Sequence, residues 1–136
     1  MTVDDFIDWA DETAARLPAL DYSEPLKDSA ELISQAIDEN FAGARDPDGN
    51  PWPPLEQPRR SGGTGPPLDD TGLLSSSSKV EELTANELVF GDPVEYAAFQ
   101  NSGTGTIPAR QFMGVNGETV DEVLVIFVTW LDGELK

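Results

Sequence analysis

The stretch DPDGNPWPPLEQPRRSGGTGPPLDDTG, residues 46–72, carries seven prolines and five glycines. Proline fixes φ and removes a backbone donor, and glycine raises the entropic cost of order, so neither a helix nor a paired strand can run through it. Regular structure is therefore confined to two flanking blocks, residues 1–45 and 73–136. The chain has 136 residues, the size of one domain. Both blocks must then close on one modest core, with 46–72 as a mobile arm or loop between them. Trp52 and Leu55 are its expected anchors, because a large apolar side chain left in water forfeits much burial energy.

The first block reads as two helices. Over 2–17, Thr2 can cap, Asp5 stands three residues on, and Phe6, Trp9, Ala10, Ala14 and Leu17 recur at helical spacing until Pro18. Over 24–42, Ser23 is the expected cap and Pro25 suits the first turn. Leu26, Ala30, Ile33, Ile37 and Phe41 form one stripe, and Gly43 is the expected left-handed stop.

The second block mixes types. KVEEL and ELVFG flank TAN within 73–91, which predicts an antiparallel hairpin turning at Asn86 with positive φ; SSSS at 75–78 is ambiguous. PVEYAAFQ, 93–100, suits a short helix. In TVDEVLVIFVTWLDGEL, Thr119 and Glu122 have capping-box spacing and the apolar residues fit a helix. Five β-branched residues at 123–129 would also suit a buried strand, but the length of the segment favours helix. The elements predict an α/β (α+β) protein. Its N-terminal helices and a C-terminal helix pack on a small, mainly antiparallel sheet, with a long Pro/Gly-rich loop.

Charge and residue types exclude several functions. The net charge of −18 opposes sequence-independent binding to nucleic acid or anionic lipid, and Arg59-Arg60 is the one basic pair. No cysteine or histidine is present, which removes thiol nucleophiles, thiolate metal sites and the commonest general base. DPDGN, 46–50, fails as a calcium loop: Pro51 stands where the turn glycine belongs and Gln57 where the bidentate glutamate belongs. SGGTG, 61–65, lacks the Lys-Ser/Thr of a phosphate cradle. The apolar run VLVIFV is too short to span a bilayer, and the N-terminus has no apolar signal core. These features predict a protein that is not an enzyme and has no catalytic residues, cofactor or metal. One compatible function is a small acidic protein-binding adaptor or DNA-mimic inhibitor.

One segment is unlike its surroundings. YAAFQNSGTGTIPARQFMG, Tyr96 to Gly114, holds no acid, and none stands between Glu95 and Glu118. Arg110 is expected to find a carboxylate, in its own chain or in a partner's. Pro108 holds Ile107 extended, and Phe112 and Met113 suit the core more than an interface.

Three blocks in order, FAGARDPDGNPWPPL, LDDTGLLSSS and VFGDPVEYAAFQNSGTGTIPARQFMG, resemble the virion morphogenesis, or tail-completion, proteins of contractile-tailed phages. The last block is the most specific. The resemblance implies a small α/β protein of the neck and tail-terminator kind, completing the tail or joining tail to head as a subunit of a homo-oligomeric ring. Its expected partners are other tail or neck proteins. It would stand in the virion, after assembly in the host cytoplasm. On this reading Tyr96 and Phe99 fix the short helix on the sheet, and Pro108-Ala109-Arg110 leads into the C-terminal helix. The candidate assembly residues are Trp52, Leu55, Arg59, Arg60, Tyr96, Phe99, Pro108, Arg110 and Phe112.

Overall fold

A computed structural model of the chain describes residues 2–56, 59, 67–68 and 72–136. Its order is α1 (Val3–Arg16), a 3-10 turn (Leu17–Ala19), α2 (Ser23–Gly43), α3 (Leu73–Ser77), β1 (Lys79–Leu83), β2 (Leu88–Gly91), α4 (Ala97–Ser102) and α5 (Gly117–Glu134). This is the α+β fold expected. The segment 120–131 is helical, as its length required.

Helix α1 starts with a capping box. The Asp5 amide donates to Thr2 Oγ1 at 3.1 Å, and the Thr2 amide donates to Asp5 Oδ2 at 2.8 Å. Pro18 then ends regular α geometry. Despite its amphipathic pattern, α1 buries no residue.

Helix α2 is the axis of the molecule. Its cap is not Ser23, which already lies in the first turn. The N-cap is Tyr22, which makes no side-chain capping bond, while Asp21 Oδ1 accepts from the Ser23 amide at 2.9 Å. At the other end Gly43 stays helical, and Ala44 takes the left-handed position, φ 49°. An L-residue there costs about 1–2 kcal/mol. The arrangement lets the Ala44 and Arg45 amides close back on Phe41 and Asn40, and the Ala44 carbonyl receives the Trp52 amide at 2.8 Å.

The serines at 75–77 complete a short helix that buries Leu74. The hairpin follows, with Lys79 opposite Gly91, Val80 opposite Phe90, Glu82 opposite Val89 and Leu83 opposite Leu88. Glu81 is the extra residue of a bulge, and its carboxylate lies over Gly91, where any Cβ would collide with it. Asn86 is not at positive φ. The turn closes through the Thr84 amide on Glu87 O at 2.8 Å and through the Thr84 hydroxyl near Asn86.

Both hairpin strands pack on α2. Helix α5 also packs on α2, rather than chiefly on the sheet as expected. Its cap is Asn116, whose Oδ1 accepts from the Thr119 amide at 2.9 Å, so Thr119 lies inside the helix and is not its cap. Tyr22 ties these parts together. Its amide donates to Ala85 O at 2.6 Å, its hydroxyl donates to Leu17 O at 2.7 Å, and its ring lies 5.2 Å from Trp130 and 6.4 Å from Phe127.

The buried core is small: Ile37, Phe41, Trp52, Leu74, Ala97 and Phe112. None of these comes from α1 or α5. Among the described residues, no helix is long and apolar enough to cross a membrane.

Candidate functional site

The segment 96–114 folds as a clasp on residues 40–54. It begins with α4, which buries Ala97 and ends at Gly103, φ 75°. A side chain there would meet the Ala109 amide nitrogen at 2.8 Å and Ile107 O at 2.9 Å, so only glycine admits this crossing. The Thr104 amide donates to Ile107 O at 2.8 Å and closes the turn, and the Arg110 amide then returns to Gln100 O at 2.8 Å.

Polar groups lock the two segments. Asn101 Oδ1 accepts from the Phe112 and Met113 amides, both at 3.0 Å. Buried Asn40 donates from Nδ2 to Phe112 O at 2.9 Å and Gly114 O at 3.2 Å. The Trp52 indole donates to Gln111 O at 2.9 Å. Between these bonds the Phe41 ring meets Phe112 at 4.9 Å and Trp52 at 5.8 Å, the latter edge to face at 81°. Phe112 is 1% exposed.

Arg110 is buried, and among the described residues its hydrogen-bond partners are not the expected carboxylate. Nε donates to Pro53 O at 2.8 Å and Nη2 donates to Pro54 O at 3.1 Å. Residues 53–54 lie outside any helix or strand, so their carbonyls need donors from elsewhere. Burial lowers the guanidinium pKa from its ordinary value, nearby Arg59 lowers it further, and Glu56 opposes the shift. The guanidinium still stays charged.

The DPDGN turn sets the entry to this clasp. Asp46 accepts from the Asn50 amide at 2.9 Å and from Asn50 Nδ2 at 3.1 Å, while the Asp46 amide donates to Asn50 O at 2.9 Å. The Asn50 amide is the main reason the Asp46 carboxyl lies below its ordinary pKa. The carboxylate is therefore a turn-former.

The candidate assembly residues lie in different parts of the fold. Trp52 and Phe112 belong to the core on either side of Phe41. Leu55, Arg59, Tyr96 and Arg110 share the lining of a cavity of about 360 Å³. Tyr96 and Phe99 are exposed and do not fasten α4, which is held through Ala97; Pro108 is also exposed. Arg60 lies outside the described residues, as does much of the proposed arm at 46–72.

The N-terminal helices and α5 were expected to pack their apolar stripes on the sheet. Instead Val3, Phe6, Ile7 and Trp9 of α1, with Val120, Leu124, Val125 and Val128 of α5, are exposed. The sequence signal was an excess of apolar faces: α5 is apolar nearly all round, a pattern of helices that end up buried. Asn40 and Asn101 were missed as well, since a single polar cross-link leaves no periodic trace.

No curated protein and no solved structure matches this chain. The model of the phage virion morphogenesis family matches residues 2–132, nearly its whole length, with the three resembling blocks inside that span. The chain belongs to the phage virion morphogenesis family, and with it to the structural proteins of virion assembly.

Proposed function

We infer that the chain completes the tail, or joins tail to head, as one subunit of a ring, with other tail or neck proteins as its partners. The observation that carries this reading is the pair of exposed apolar helix faces on α1 and α5, in a chain whose core is built without either helix. A protein of a virion assembly family with such faces is made to be covered by neighbours. Catalysis has no support in the residue set: neither Cys nor His is present, and Arg110 is engaged with two peptide carbonyls. The strong negative charge suits a subunit that lets DNA pass without holding it. The protein would be made in the host cytoplasm and end in the virion.

The test is deletion of the coding sequence from the phage or prophage genome that carries it, followed by electron microscopy of the lysate. Heads and tails should form but remain separate or unfinished, and wild-type protein supplied in trans should restore infective particles. Normal tailed, infective particles from the deletion would overturn the reading and favour the acidic adaptor that the net charge also allows.

A further inference from the structure

Helix α1 and the outer side of α5 together present eight apolar side chains, four on each, that remain 46–74% exposed. We propose that α1 of one copy lies along the outer stripe of α5 on the next copy, so that identical chains join head to tail. This rests on the ring reading above and supplies its joint.

The lengths agree. The exposed apolar run of α1, Val3 to Trp9, extends about 9 Å, and that of α5, Val120 to Val128, about 12 Å at the same rise per residue. The areas also favour this pairing. Each face alone offers roughly 400 Å² of open apolar surface, whereas one α1–α5 contact covers roughly 800 Å² before its polar rim is counted. That approaches the ~1,000 Å² that a specific interface needs. Pairing α1 with α1 would leave the α5 stripe bare, while a single head-to-tail contact covers both faces of every copy. Such a contact is heterologous, and it closes a ring when its rotation divides a full turn.

The placement of α1 suits an arm. Arg16 Nη2 donates to Glu134 O at 3.0 Å, which fixes the root of α1 at the C-terminal end of α5 while the rest of α1 stays clear of the core. Lipid is the wrong occupant, because Asp4, Asp5, Asp8, Asp11 and Glu12 crowd α1 and would be repelled by anionic headgroups. Asp121 and Asp132 edge the α5 stripe as well, so both rims are acidic. Like charge therefore opposes the joint at low ionic strength, and salt relieves it.

The experiment is sedimentation velocity on the full chain at about 0.01 M and about 1 M NaCl, where the screening length falls from ~30 Å to ~3 Å. The wild type should associate, and more strongly at high salt. Phe6→Asp and Leu124→Asp should each lose association by at least about tenfold while keeping the wild-type far-UV spectrum, because both positions are surface-exposed. Mixing the two variants should give a dimer and nothing larger, since each then contributes its one intact face. A wild type that stays monomeric at both salts and at all accessible concentrations overturns the proposal. So does either variant associating like the wild type, or a mixture that remains monomeric. These masses do not depend on the phage phenotype, so the joint and the tail-completion reading fail separately.

Discussion

The clasp and the two outer helices reverse the usual relation between local pattern and structural importance. Residues 40–54 and 96–114 have little periodicity, yet they contribute Asn40, Phe41, Trp52, Ala97, Arg110 and Phe112 to the buried set. Helices α1 and α5 have the clear apolar repeats of stable helices, yet neither buries a residue. A repeat shows that a face will be covered, but the covering surface can belong to the same chain or to another. In this protein the irregular segments close on α2 to build the core, while α1 and α5 keep apolar faces exposed.

The largest test of that contrast is Phe112→Ala. Removing a fully buried ring that packs against Phe41 should cost about 3–5 kcal/mol, enough to unfold a domain of ordinary stability. Urea denaturation followed by tryptophan fluorescence reads it, and a loss below about 1 kcal/mol would break the claim that the clasp is the core. Next comes Asn101→Ala, which strips the Phe112 and Met113 amides of their acceptor. The same titration should show a loss of about 1–3 kcal/mol, softened where water reaches the half-buried site. The smallest effect is expected for Val128→Ser on the outside of α5. Measured on the monomer, its stability should lie within about 0.5 kcal/mol of wild type. A loss as large as that of Asn101→Ala would mean that α5 belongs to the core after all.

Much of this division was legible in the sequence, and the remainder was hidden for identifiable reasons. The helices, the hairpin and the irregular middle followed from spacing and from proline and glycine, and the family resemblance followed from the three blocks. Capping details were missed because the helices begin beside, not at, the expected residues: α2 starts after Tyr22 with no side-chain cap, and α5 after Asn116 rather than at Thr119. The left-handed stop fell to Ala44 because the chain needs its turn one residue beyond the glycine, where the Trp52 amide can reach it. Tyr96 and Phe99 looked like anchors because they are aromatic, but α4 is turned to bury Ala97. Arg110 was expected to pair with one of many acids. Its partners are instead carbonyls that Pro53 and Pro54 leave unpaired, and no residue count reveals an unpaired carbonyl.

That choice of partner has a consequence for acid. A carboxylate partner can be neutralised by protons in acid. The carbonyls of Pro53 and Pro54 cannot, so the fastening that joins the arginine segment to the proline segment has no titration step. That bolt therefore stays closed as pH falls.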